Sequence, residues 1–241
     1  MRIVITGATG FIGFALLKHL GKKHSVTAVV RNPKKMLQLQ KTAEIKNLNI
    51  VKTDLNQEKS VKRLFESLEN LDVLINCAAI LGPVGKLRDN DLGEWKNTIT
   101  VNLLGTVYSS YYALELLLRS KRGKIINFAG GGAANARSHH TAYASSKTAV
   151  LRFTETLALE YPQLQVNAVA PGAHLSQLWD QESYDPKPQQ WGDLNKLLNF
   201  IDFLLSKKTE KVSGKFLHYL DKPEKIINSQ ASNLFTLRRV E

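Results

Sequence analysis

Tyr143 and Lys147 lie four residues apart in a stretch, residues 141–150, whose apolar spacing predicts the opening of a long helix. Four residues bring two side chains onto one helix face. A free phenol ionises near pH ~10, but an adjacent ammonium favours the phenolate and makes the pair a general acid/base for the oxygen of a carbonyl or an alcohol. A tyrosine and a lysine at this spacing also occur as an ordinary surface pair, so the rest of the chain has to decide between the two readings.

A second cluster stands at the start of the chain. Thr6-Gly7-Ala8-Thr9-Gly10-Phe11-Ile12-Gly13 follows an apolar run and precedes the helix-period stretch Phe14 to Leu20. Strand, glycine turn and helix in that order aim backbone N–H groups and a helix N-terminus at a pyrophosphate. Gly7 permits the tight turn, Gly10 the close approach of the backbone, and Gly13 the packing of helix on strand. At the end of the second strand, where an NAD site carries a carboxylate for the ribose, the chain has Arg31-Asn32, followed by Lys34 and Lys35. A guanidinium matches a phosphate with paired charge-assisted bonds, so NADP(H) is favoured over NAD(H), which the same site still admits.

Charge points the same way. The formal net charge is +12, and residues 1–43 carry eight Lys and Arg against no Asp or Glu. An anionic, phosphate-rich cofactor accounts for that concentration economically, with a solvated basic face as the plain alternative. Nucleic acid is not expected as a partner, because no aromatic or motif signature accompanies the charge. No membrane partner is expected either, since no apolar stretch reaches the length of a span. Arg2 ahead of an apolar run resembles a secretion signal, but no small-x-small cleavage site follows and the glycines are better explained by the turn. Cys77 is the only cysteine, which excludes an internal disulfide and fits a reducing, cytoplasmic setting. His139 and His140 read as surface histidines whose spacing supports no metal site.

The elements that position these residues alternate in type. Val- and Ile-rich runs predict strands at 2–6, 25–30, 48–52, 72–76, 124–128, 165–169 and 215–219, and helical periods fall at 11–20, 33–42, 57–69, 91–119, 142–160 and 193–206. This is the pattern of a single doubly wound α/β Rossmann domain, residues 1–228, with an about seven-stranded parallel sheet and helices on both faces. Residues 229–241 read as a tail. The segment from His174 to Asp193, with Trp179, Tyr184, Pro186, Pro188 and Trp191 in no sustained period, reads as a long ordered loop after a strand's carboxyl end, a substrate lid or a passive aromatic-anchored connection.

Taken together, these motifs resemble the short-chain dehydrogenase/reductase family over nearly the whole chain. The glycine turn is similar to the family's cofactor motif in its T-G-x-x-G-x-x-G form. Asp54-Leu55 resembles the pair that touches adenine, and Asn76-Cys77-Ala78-Ala79 resembles the N-N-A-G segment with Cys and Ala substituted. Asn102 resembles the helix asparagine of the proton relay, and Tyr143 with Lys147 matches Y-x-x-x-K. Asn167-Ala168-Val169-Ala170-Pro171-Gly172, followed by Ser176, resembles the segment that seats the nicotinamide. The resemblance implies an oxidoreductase that exchanges hydride between a small-molecule carbonyl or secondary alcohol and NADP(H). It implies a cofactor site built from Gly7, Thr9, Gly10, Phe11, Ile12, Gly13, Arg31, Asn32, Asp54, Leu55, Cys77, Ala78, Ala79, Tyr143, Lys147, Pro171, Gly172 and Ser176. It also implies a homodimer or homotetramer, for which Tyr108, Tyr111 and Tyr112 on one long helix are candidate contacts.

One position departs from the pattern. The serine usual about thirteen residues before the tyrosine falls on Gly130, in Phe128-Ala129-Gly130-Gly131-Gly132-Ala133. Loss of one donor to a developing oxyanion costs ~10²–10³ in rate. Backbone N–H groups of the glycine run, or Ser138 or Thr141, are the candidate replacements, with the substrate lying over Gly130–Gly132. Two alternatives stay open: an epimerase or dehydratase of a nucleotide-linked sugar, which the form of the turn at Thr6 favours, and an NADP-binding sensor or scaffold without turnover, which Gly130 motivates.

Overall fold

The fold is taken from a computed structural model, which describes residues 1–43, 48–228 and 236–237. Apart from Thr236 and Leu237, the tail expected at 229–241 lies outside the described residues. From the N-terminus the chain runs β1 (Arg2–Thr6), α1 (Phe11–Leu20), β2 (Ser25–Val30), α2 (Pro33–Ala43), β3 (Leu48–Lys52), α3 (Glu58–Glu66) and β4 (Val73–Asn76). It continues through α4 (Leu92–Ile99), α5 (Gly105–Arg119), β5 (Lys124–Phe128), α6 (Thr141–Glu160), β6 (Gln165–Ala170), α7 (Gln177–Asp180), α8 (Leu194–Leu205), β7 (Phe216–His218) and α9 (Pro223–Asn228).

The seven strands form one sheet in the order β3-β2-β1-β4-β5-β6-β7, every neighbouring pair parallel. Strand alternation sorts the core into two layers. Val4, Leu74, Ile125 and Val166 stand in register across the sheet and bury against Leu64, Phe65, Ala113 and Leu117 of α3 and α5. Ile3, Ile5, Val73, Ile75 and Ile126 face the other way, onto Leu16 and Leu17 of α1 and Leu197, Ile201 and Leu204 of α8. Both faces of the sheet are therefore covered, which explains why its strands read as nearly continuous apolar runs.

Asp72, expected inside β4, instead ties its entrance. Its carboxylate accepts from the backbone N–H and Nε of Arg2 at 2.8 and 3.2 Å and from Ser120 Oγ at 2.8 Å. Burial pushes this carboxyl up, but those bonds outweigh it and hold it at about 2.

Two segments differ from the expectation in ways that matter for the site. The single helix expected over 91–119 is interrupted by a π-helical turn, Thr100–Leu104, whose widened ring is closed by Gly105 N–H to Thr100 O. Such turns come from one extra residue in the helical ladder, which hydrophobic periodicity is too coarse to register. The loop expected over 174–193 contains α7, and its ends are pinched together by Gly192 N–H donating to Ala173 O at 2.7 Å. Of the three tyrosines on α5, Tyr111 is 67% exposed, whereas Tyr108 and Tyr112 pack partly on the core and the Tyr112 hydroxyl donates to Glu58 at 2.7 Å.

Candidate functional site

β1 has β2 on one side and β4 on the other, so the strand order reverses there, and in open α/β sheets the crevice beyond the strand ends at this point receives ligands. The local sequence opens that crevice. Gly7 adopts φ +68°, and a Cβ on it would stand 2.6 Å from Ala78 Cα, so only glycine lets the turn pass the end of β4. Thr6 Oγ1 ties the two ends by accepting from the N–H groups of Cys77 and Ala78 at 3.1 and 3.3 Å. A Cβ on Gly13 would stand within van der Waals overlap of the Gly7 carbonyl, which fixes how closely α1 can approach the turn.

The crevice is a cavity of ≈ 950 Å³. Its wall at one end is the glycine turn, with Arg31, Asn32 and Lys35 beyond it; Asp54 and Leu55 flank the middle; Cys77–Ala79 form the floor; Tyr143, Lys147, Pro171 and Ser176 close the far end. The first turn of α1 has no acidic residue, and its N-cap Gly10 supplies no side-chain bond, leaving the helix N-terminus to an outside acceptor. With Arg31 and Lys35 alongside, the donors suit a ligand with phosphates. Lys34 is not part of the wall.

Three candidate residues stand outside the cavity surface. Gly172 turns the chain at φ +76° against Tyr219. Asn102, at the centre of the π turn, is fully buried: its Oδ1 accepts from Ile80 N–H at 2.9 Å, and its Nδ2 donates to Ile80 O at 2.9 Å and Ser146 Oγ at 3.0 Å. It thereby fastens the loop after β4 to α6. Asn76 likewise points inward, donating to Ser110 Oγ and Asn127 Oδ1.

Gly130 is the third, buried behind the wall. A Cβ there would stand 3.1 Å from the Tyr143 hydroxyl, so Gly130 does occupy the place beside the phenol where a donor would be useful. Gly132 does not extend the cavity. Ala129 forms its wall, while Gly132 faces Ala144 and Tyr143 from the outer side of α6. Of the bed expected over Gly130–Gly132, Gly130 and Gly132 are not on the cavity surface, which Phe128 and Ala129 line. Ser138 and Thr141 are turned elsewhere: Ser138 Oγ meets His139 Nδ1 at 2.9 Å, and Thr141 Oγ1 accepts from Trp95 Nε1 at 3.1 Å.

The acid–base pair has a definite electrostatic setting. Lys147 is buried, and its Nζ donates to Phe128 O at 2.8 Å, 5.8 Å from the centroid of the Tyr143 ring. Burial pulls the Lys147 ammonium down to about 8, with the Cys77 thiol opposing. Burial pushes the Cys77 thiol up to about 12, against the pull of Lys147. Burial also pushes the Tyr143 phenol up; Arg137, not Lys147, is the charge that draws it back.

Sequence reasoning missed the group around Arg137. It joins residues forty to fifty positions apart, Arg137 to Glu182 and Asp185 and His140 to Glu182, and no spacing rule links them. His140, expected at the surface, is fully buried, with Nε2 2.7 Å from Glu182 and Nδ1 2.6 Å from Ser138 O. His139 is half-buried and stacks on Tyr184 at 4.0 Å. His140, Glu182 and Asp185 offer ligand atoms within 4.8 Å of one another, but the Arg137 guanidinium already bonds both carboxylates.

Comparison with known proteins places this arrangement. Residues 1–187 match the family described as short chain dehydrogenase. An uncharacterized oxidoreductase of Schizosaccharomyces pombe is 30% identical over 172 residues, which cover 70% of this chain and 69% of that protein. A 3-oxoacyl-(acyl-carrier-protein) reductase of Aquifex aeolicus is 28% identical over 234 residues, 89% of this chain and 94% of that one. In fold, the chain is similar to a short chain dehydrogenase of Shigella flexneri complexed with NADP, with a TM-score of 0.84, 22% identity, and coverage of 91% of this chain and 97% of that one. No described helix is long and apolar enough to cross a membrane.

Proposed function

Because this chain belongs to the short chain dehydrogenase family, a family whose relatives here are named as reductases and dehydrogenases, we propose that it is an NADP(H)-dependent oxidoreductase of a small carbonyl compound or secondary alcohol. The observation that carries the proposal is the single cavity with Arg31 and Lys35 at one end and Tyr143 and Lys147 at the other, joined by the uncapped N-terminus of α1. Arg31 and Lys35 would hold the 2′-phosphate, and the glycine turn and the first N–H groups of α1 the pyrophosphate. Asp54 and Leu55 would flank the adenine, and Pro171, Gly172 and Ser176 would seat the nicotinamide. The chemistry that NADP(H) supplies when bound is hydride exchange with the carbon of a carbonyl or carbinol.

The chain's own part is the proton. In reduction the Tyr143 hydroxyl donates to the substrate oxygen; in oxidation the phenolate accepts from it. Lys147, drawn down to about 8, is poised near neutrality to leave the Phe128 carbonyl for a ribose hydroxyl and to stabilise the phenolate. Asn102 acts from behind, holding the start of α6 through Ser146. The reading includes a cytoplasmic homodimer or homotetramer, supported by the exposed Tyr111 on α5.

Tyr143→Phe tests it. Against a panel of carbonyls and alcohols with NADPH or NADP⁺, the variant is expected to bind cofactor as the wild type does and to lose ~10²–10⁴ in turnover. Turnover indifferent to Tyr143 removes the acid–base assignment, and cofactor binding with no turnover in either protein removes the enzyme and leaves the alternative that Gly130 motivates, an NADP-binding sensor or scaffold.

A further inference from the structure

Tyr143 has a second cation beside it. The Arg137 guanidinium stands 5.7 Å from the centroid of the ring, as near as Lys147 at 5.8 Å. Among the described residues, Arg137, Lys147 and the Cys77 thiol are the charged or titratable groups that face this phenol. Lys147 is engaged with Phe128 O and the thiol opposes ionisation, while Arg137 draws the phenol's pKa down.

Arg137 is held by the segment that follows β6. Its Nη2 donates to Glu182 Oε2 at 2.5 Å and its Nε to Asp185 Oδ2 at 2.6 Å. Glu182 is itself built in: its side chain is 2% exposed, Oε2 also meets His140 Nε2, and Oε1 accepts the N–H groups of Tyr184 and Asp185, each at 3.0 Å. Burial pushes that carboxyl up, yet these bonds outweigh it and keep Glu182 ionised. An exposed ion pair would be worth little. Here the Glu182 carboxylate is buried, so losing Arg137 would leave it short of a compensating charge. The same segment puts Gln177, Leu178, Gln181 and Ser183 into the cavity wall, so the clasp connects the cover of the cavity to the acid–base residue.

We infer that Arg137 is a positioning residue for Tyr143: clasped by Glu182 and Asp185, it keeps a cation beside the phenol while the 174–193 segment is seated over the cavity. The inference rests on the reading of Tyr143 as the acid–base group. Oxidation of an alcohol needs the phenolate, so kcat climbs with pH through the phenol's pKa. Removing a cation raises that pKa and moves the climb to higher pH. A charge at this distance shifts a neighbouring group by one unit or more, and two carboxylates partly offset Arg137, so the expected displacement is about half a unit to one unit.

The test has two readouts. One is the pH profile of kcat for alcohol oxidation. The other needs no turnover: ultraviolet titration of phenolate, wild type minus Tyr143→Phe, isolates Tyr143 from the other six tyrosines. Arg137→Gln is expected to move both upward by about half a unit to one unit, which is threefold to tenfold in rate below the climb, with the KM for NADP⁺ unchanged. Arg137→Lys, which keeps the charge, is expected to return both toward wild type. Should Arg137→Gln fold poorly, the pair Arg137→Gln with Glu182→Gln leaves no buried carboxylate without its cation and is expected to show an upward displacement of smaller size, since one offsetting carboxylate goes with the cation. A phenol titration that stays in place in whichever of these variants folds overturns the inference. Absence of Tyr143-dependent turnover, with the titration displaced as expected, overturns the function and leaves the clasp intact.

Discussion

Replacement of Gly130 by serine asks whether the departure from the family pattern limits the rate. The backbone of Gly130 lies outside the left-handed region, and the nearest atom to an added Cβ is the Tyr143 hydroxyl at 3.1 Å, a few tenths of an ångström inside the 3.4 Å where ordinary contact begins. Extra atoms in a packed site cost ~1–3 kcal/mol. The neighbour here is the end of a side chain facing a cavity, so the lower figure applies, and if all of it falls on the reacting geometry the rate drops about fivefold. A hydroxyl donor to the reacting oxygen returns ~2.7–4 kcal/mol. Gly130→Ser is therefore expected to exceed the wild type at least ~tenfold in kcat, whereas Gly130→Ala, with the same Cβ and no hydroxyl, falls about fivefold below it. The ratio of the two variants, ~10²–10³, isolates the donor from the crowding. The assay is initial rates by absorbance of the reduced cofactor on a substrate from the panel, with cofactor affinity measured separately. Equal rates for the serine and alanine variants, at unchanged cofactor affinity, would refute the reasoning and place the polarising donor elsewhere.

Two further outcomes follow from charges in the structure. Arg31→Glu removes charge-assisted bonds worth ~1.5–3 kcal/mol and sets a carboxylate against the 2′-phosphate. NADPH affinity by calorimetry is expected to fall ~10²-fold while NADH affinity holds or rises, and equal losses for both would sink the assignment of Arg31. Lys124 is buried under α8, donating to Leu204 O and Ser206 O, and burial pulls it from 10.5 down to about 8. Between those values the unfolded chain holds a proton that the folded chain has released, so stability rises with pH across this window, by at most ~3 kcal/mol. Denaturant unfolding from pH 8 to 10.5 should show that rise in the wild type and a flatter course in Lys124→Met; parallel courses would contradict it.

The strands, most of the helices and the family were legible before any coordinates. Alternating apolar runs and helical periods are local and repetitive, and the positions of β1, α1, β2 and β3 follow from them within the first fifty-two residues. The glycine turn and the Tyr143–Lys147 spacing were legible for the same reason, since each is a contiguous motif whose geometry is set by one element. Placement across the cavity was legible only as far as the strand order of a doubly wound sheet could be assumed.

How charge is distributed around Tyr143 emerges from the folded arrangement alone. It shows Lys147 bonded to the end of β5, Asn102 buried in a π turn behind the wall, and Gly130 and Gly132 off the cavity surface. It alone joins Arg137 to Glu182 and Asp185 and buries His140 between them. The physical reason is range: burial and Coulomb interaction depend on distance in space, and residues brought together from separate loops leave no periodic trace in the chain.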